Sequence, residues 1–153
     1  MPKIAIDALP VHATSAYPAP FRKVVEGRAR RRLGDAVGLT QFGVNLTTLK
    51  PGAATSLRHW HANEDELVFV LEGELVLVED EGETVLRAGD AAGWKAGVRN
   101  GHQLINRTDR DAVLLEIGTR SPREHSEYPD VDLIFDKDER GTRITHRSGE
   151  PYA

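Results

Sequence analysis

The chain contains no cysteine in 153 residues. Disulfides, thiolate metal sites and a cysteine nucleophile are therefore excluded, and any metal has to be held by imidazole, carboxylate or carbonyl groups. Aromatic residues are also scarce, with two Trp, three Tyr and four Phe. No apolar run approaches the roughly 18 residues needed to cross a bilayer. The N-terminal stretch MPKIAIDALP has neither a basic leader region nor a long apolar core, which predicts a cytoplasmic protein without a secretory signal. Charge of one sign is missing as well: 20 Lys and Arg against 24 Asp and Glu leave a net charge of −4, with no general attraction to nucleic acid or to anionic lipid. A local exception is GRARRRLGD, where Arg28, Arg30, Arg31 and Arg32 crowd together. In an acid-rich chain this reads as a solvated turn or an ion-pairing face.

What is present is a β pattern. The length fits a single domain able to bury a real core. Four prolines (Pro2, Pro10, Pro18 and Pro20) interrupt the first forty residues, so 1–39 is expected to be an irregular segment that wraps the core or reaches a neighbouring subunit. From Gln41 onward the chain changes character. FGVNLTTL (42–49) alternates, LVFVLEG (67–73) and ELVLVED (74–80) are apolar runs, and TVLR (84–87), HQLIN (102–106) and AVLLEIG (112–118) follow after turn signals. Short strands with turns about every ten residues predict an all-β sandwich or barrel, its core at about 40–118. The runs at 67–71 and 75–78 are apolar at both parities, so both faces are expected to be covered. Residues 119–153 form a C-terminal extension whose stretch 133–147 predicts a hairpin turning near Asp138–Gly141.

Within this pattern RHWHANEDELVFVLEG (58–73) carries chemistry. On a strand, His59 and His61 point to one face and Trp60 to the other. Their Cβ atoms are then roughly 6–7 Å apart, close enough for two rings to share one ion. A helix would splay them apart. Glu66 has the wrong parity for one continuous strand, but Ala62–Asp65 is a turn sequence that resets the register and brings Glu66 beside the histidines. Glu64 and Asp65 are expected to face solvent from that turn. Two imidazoles and a carboxylate make a facial ligand set with open positions. Of the remaining histidines, His102 alone lies inside the β core, whereas His12, His125 and His146 are expected at the surface.

These residues resemble the cupin superfamily, whose first motif reads G-x5-H-x-H-x3,4-E-x6-G. His59, His61, Glu66 and Gly73 fall at that spacing, with Gly52 one residue farther from His59 than the motif asks. The second motif, G-x5-P-x-G-x2-H-x3-N, is matched by Gly89, Gly97, His102 and Asn106. Lys95 stands in place of the proline, and the loop before His102 is longer by two residues. The resemblance implies a double-stranded β-helix, a jelly-roll-like barrel, and His102 as a fourth ligand beside His59, His61 and Glu66. It further implies one divalent transition metal per chain (Zn, Fe, Mn or Ni), a small-molecule substrate or ligand, and a homodimer. Gln41, Arg58, Trp94 and Asn106 are the pocket candidates around the metal. Two functions are compatible with the resemblance: a metalloenzyme acting on a small oxygenated metabolite (dioxygenase, isomerase or lyase), or a non-catalytic module that binds or senses a small ligand or sugar.

Overall fold

A computed structural model of the chain describes residues 2–153 and shows the expected all-β architecture. Twelve strands occur among these residues: β1 (Arg28–Arg32), β2 (Phe42–Leu49), β3 (Trp60–His61), β4 (Glu66–Glu72), β5 (Glu74–Glu79), β6 (Gly82–Arg87), β7 (Ala91–Trp94), β8 (Gln103–Ile105), β9 (Ala112–Thr119), β10 (Glu124–Glu127), β11 (Ile134–Asp138) and β12 (Gly141–Thr145). They form a five-stranded sheet in the order β1-β2-β9-β4-β7, a four-stranded sheet β12-β11-β10-β3 and a three-stranded sheet β6-β5-β8. The C-terminal hairpin is β11–β12, turning after Asp138 as expected, and it extends the sheet that contains β3.

The five-stranded sheet shows how the core and the polar end of the barrel are laid out. Cross-strand partners point to the same face. On the inner face, β2 offers Leu49, Thr47 and Asn45, β9 offers Ala112, Leu114 and Glu116, and β4 offers Val70, Val68 and Glu66. Each strand thus passes from apolar to polar in the same spatial direction. Leu49, Val68, Val70, Ala112 and Leu114 join Leu75, Leu77, Leu86 and Leu104 in one cluster that closes one half of the barrel. The other half is left lined with polar side chains. Gly73 makes the β4–β5 turn possible: its φ is +80°, and a Cβ there would stand 3.0 Å from the Asp111 carbonyl oxygen.

Three expectations are corrected here. Residues 28–32 are not a solvated turn but strand β1, paired along its whole length with β2, so the sheet begins inside the segment expected to be irregular. Ahead of it, His12 and Arg30 exchange backbone hydrogen bonds of 2.8 and 2.9 Å. The run at 67–71 is covered on one face only. Val68 and Val70 are buried, whereas Leu67, Phe69 and Leu71 are exposed on the outer face at 44%, 37% and 40%.

Candidate metal centre and cavity

The polar half of the barrel gathers the four residues singled out by spacing. His59 and His102 form an isolated antiparallel bridge, exchanging backbone hydrogen bonds of 3.2 and 2.9 Å, so their side chains leave neighbouring backbones on the same face. His61, on β3, follows two residues later with the same parity. Glu66 opens β4 on the inner face after the turn at Ala62–Asp65. The side chains meet at Glu66: His59 Nε2 lies 3.0 Å from His61 Nε2, and Glu66 Oε2 lies 2.8 Å from His102 Nε2, 3.2 Å from His61 Nε2 and 3.9 Å from His59 Nε2, so that His59, His61 and Glu66 form one compact group which His102 joins through Glu66.

Each ring is oriented from behind. His59 Nδ1 is 2.8 Å from the Leu57 carbonyl and 3.2 Å from Ser56 Oγ. His61 Nδ1 is 3.1 Å from Ser126 Oγ and 3.7 Å from Glu124 Oε1, and His102 Nδ1 is 3.2 Å from the Asn100 carbonyl. A proton on each outer nitrogen satisfies these acceptors and leaves the Nε2 lone pairs pointing inward, which is how protein-bound imidazoles are usually held toward a metal. Two ligands about 2.1 Å from one centre and at right angles lie about 3.0 Å apart, the separation of the His59 and His61 nitrogens. The donor set of three imidazoles and a carboxylate therefore fits a divalent transition ion.

The electrostatics of the metal-free cluster are unequal. Burial lowers the His59 pKa to about 4 despite the neighbouring Glu66. Burial also works against a charged His61, but hydrogen bonds to Glu124 and Glu66 outweigh it and raise its pKa to about 9. Burial likewise works against the Glu66 carboxylate, yet hydrogen bonds from His102 and His61 hold its pKa well below the ordinary range. A neighbouring group, His61 with Glu64 and Glu124, is already committed to the protein. Glu124 accepts the amide protons of Ala62 and Asn63, and Glu64 pairs with Lys137 at 2.8 Å. Glu64 is thereby drawn out of the solvent-facing position expected for it.

The four pocket candidates fare differently. Trp94 is beside the cluster, its ring stacked on His102 at 3.8 Å and 4°, with Nε1 donating to Glu79. Arg58 does not face the cavity. It precedes His59, so strand parity turns it outward, where it forks onto Asp130, pairs with Asp80 and ties these loops together. Gln41 is exposed ahead of β2, and its carbonyl accepts the Arg120 amide. Asn106 is fully buried but braces a turn, donating to the Leu49 and Arg110 carbonyls at 2.8 and 2.7 Å. His125 and His146 pair with Asp136 and Asp132 near the surface.

A cavity of about 330 Å³ opens in front of His59, His61 and Glu66, within the size range of small-ligand pockets. Its farther walls come from residues that the sequence pattern did not place at the site, among them Tyr17, Arg28, Arg30, Glu116 and Tyr128. Tyr128 stacks on His59 at 5.5 Å and meets Tyr17 edge-on at 5.9 Å, which joins the N-terminal segment to the cluster. Arg30 is neutralised by Glu116, with N–O distances of 2.8–3.1 Å. The signal for the arginines was available in RARRR, whose alternate positions share one face once the segment is taken as a strand.

The cupin domain family model matches residues 45–118. A solved cupin-superfamily sugar phosphate isomerase from Silicibacter pomeroyi is 47% identical, covering 99% of this chain and 97% of that one, with a TM-score of 0.95. A protein from Acidithiobacillus ferrooxidans, provisionally described as a sugar phosphate isomerase, is 27% identical over 79% of this chain and 77% of its own, with a TM-score of 0.74. A polyketide cyclase from Streptomyces resistomycificus, 19% identical over 78% of this chain and 79% of its own with a TM-score of 0.64, shares the fold alone. No curated protein matches the chain. The chain belongs to the cupin superfamily, and among the described residues no helix is long and apolar enough to cross a membrane.

Proposed function

We propose that the chain is a metal-dependent enzyme of the isomerase type acting on a small phosphorylated sugar, with His59, His61, Glu66 and His102 as the metal ligands. The observation that supports the reading is the compact group of His59 Nε2, His61 Nε2 and the Glu66 carboxylate, with His102 Nε2 against the same carboxylate oxygen and each imidazole met by a partner on its outer nitrogen. The 47% identical protein described as a sugar phosphate isomerase supports the choice among the many chemistries that the fold accommodates. A bound divalent ion (Zn, Fe, Mn or Ni) would supply a Lewis acid that polarises a substrate oxygen. The protein's part is to hold the substrate against that centre in a polar cavity: Tyr128 and Tyr17 wall one side, and Glu116 is held in place by its ion pair with Arg30.

The test is turnover of a panel of aldose and ketose phosphates by protein reconstituted with each metal, followed by proton NMR in D2O. Interconversion of an aldose–ketose pair with deuterium entering the carbon beside the carbonyl is the expected result. Ligand-induced thermal stabilisation without turnover by any metal form would overturn the reading in favour of a binding module.

The protein is further read as a homodimer. Leu67, Phe69 and Leu71 of β4 share the outer face of the five-stranded sheet with Leu115 and Ile117 of β9 and Val44 and Leu46 of β2. Phe42 extends the stripe and is 43% exposed. A contiguous apolar sheet face of this kind is the mark of an association surface, and a second copy packed face to face would supply the cover that the apolar run at 67–71 calls for.

A further inference from the structure

Strand β1 places Arg28 opposite Leu49 and Arg30 opposite Thr47, both of them buried inner positions, so the two guanidinium groups enter the barrel together. Their situations differ. Arg30 has the Glu116 carboxylate. Arg28 is only 9% exposed, and its partners are two backbone carbonyls, Thr55 at 2.7 Å and Thr14 at 3.5 Å. No carboxylate lies within 4.0 Å of it among the described residues. A buried cation without a counter-ion is costly. Burial, then the neighbouring Arg30 charge, pulls its pKa down to about 10 against the partial attraction of Glu116, so it still carries its charge at neutral pH. A guanidinium has five N–H donors, of which these contacts use two, so most of its capacity remains for a ligand.

Arg28 also lines the cavity that His59, His61 and Glu66 border. The two ends are connected through a short stretch of backbone: the Thr55 carbonyl accepts from Arg28, and the next residue, Ser56, contacts His59 Nδ1. The far wall is closed by Ser15, Ala16 and Tyr17 of the N-terminal segment, held in place as Tyr17 accepts the Leu57 amide proton. The cavity thus has a carboxylate–imidazole centre at one end and, at the other, two guanidinium groups that share the single Glu116 carboxylate, Arg28 being the one without a direct ion pair.

We propose that Arg28 is the phosphate-binding residue of this cavity, receiving the phosphate of a sugar monophosphate whose hydroxyl and carbonyl end faces His59, His61 and Glu66. The planar fork suits two phosphate oxygens at once, and a dianion supplies the counter-charge that the protein withholds from Arg28. The assignment rests on the isomerase reading for the identity of the substrate, and the measurements below separate the two.

Phosphate binding is measured first on metal-free protein, so that the anion cannot be held by a bound metal ion, and the Arg28 variants separate it from binding at the histidine cluster. In the proton–nitrogen spectrum of the arginine side chains, inorganic phosphate is expected to shift the Arg28 Nε–H resonance saturably, and acetate to shift it far less. Arg28→Lys keeps the charge without the fork, and Arg28→Met removes both. Each is expected to weaken phosphate binding by about tenfold or more. In metal-loaded protein, Arg28→Lys is expected to raise KM for the sugar phosphate by about tenfold while kcat changes by less than about threefold. Phosphate affinity unchanged in Arg28→Lys, no Arg28 shift in wild type, or equal response to acetate would each overturn the assignment. Saturable phosphate binding at Arg28 with no sugar-phosphate turnover keeps the subsite and sinks the isomerase reading. Turnover with a KM indifferent to Arg28→Lys does the reverse.

Discussion

His59 and His102 exchange both backbone hydrogen bonds although they come from segments far apart in the chain. That single antiparallel bridge holds the two imidazoles side by side before any ion is bound, with ring centroids 5.0 Å apart. Trp94 stacks on the back of His102, and Tyr128 on His59. The cluster is therefore positioned by backbone pairing and aromatic packing, and the metal is expected to enter a preformed site.

The outer partner of His61 gives a prediction about affinity. Glu124 is buried beside His61 Nδ1 and is itself fixed by the Ala62 and Asn63 amides. Glu124→Gln keeps the size and one acceptor but removes the negative charge. Metal affinity, measured by competition with a chelator, should fall about 10- to 100-fold while the circular dichroism spectrum is unchanged. An unaltered dissociation constant would mean that Glu124 serves only the turn at Ala62–Asp65.

Titration of the metal-free protein should leave two opposed signatures in stability. The His61 pKa is raised to about 9 from 6.5, so its contribution is complete below pH 6.5 and is lost as pH rises through about 9. The His59 pKa is lowered to about 4, so its contribution is present above pH 6.5 and is lost as pH falls toward 4. Thermal unfolding of metal-free protein should accordingly decline on the alkaline side, and replacing His61 with Gln should flatten that decline. Because metal displaces the His61 proton, metal affinity should rise between pH 7 and about 9.

Asn106 should behave as a structural residue. Asn106→Ala would leave the buried Leu49 carbonyl and the Thr108 amide without their partners. A loss of about 2–3 kcal/mol in denaturant unfolding is expected, with metal stoichiometry unchanged in the folded protein. Loss of metal from a fully folded variant would return Asn106 to the site.

The outer sheet face supplies a prediction about assembly. Leu67→Glu with Phe69→Glu places two charges on an apolar face without touching the inward Val68 and Val70. Light scattering should report a dimer for the wild type and a monomer for the double variant. A wild-type monomer would leave the exposed stripe unexplained.

The parts of the fold that were legible in the sequence are those where a β-rich, apolar stretch runs long enough between turn signals to show. The pattern at 42–49, 74–79 and 112–118 is dictated by burial on the barrel interior, and the strands fall there. Strand β10, of four residues, is too short to have a period, whereas the two-residue β3 falls within RHWH, where a strand was expected from the alternate histidines. Strand β1 was hidden because its inner positions are arginines, read as solvated when they in fact line a cavity. The grouping of His59, His61 and Glu66 was legible through parity and turn chemistry, since two histidines at alternate positions must share a face. The same rule places Arg58 on the opposite side, and the pocket role expected for it neglected that consequence. Asn106 failed for a related reason: β8 ends at Ile105, so the face shared with His102 and Leu104 does not continue to it.

The central claim is tested most directly by metal content. Elemental analysis of wild-type protein should give about one divalent transition metal per chain, and the variant with His59→Ala and His61→Ala together should give none while remaining folded. Unchanged stoichiometry in that folded double variant would contradict the assignment of His59, His61, Glu66 and His102 as the metal centre.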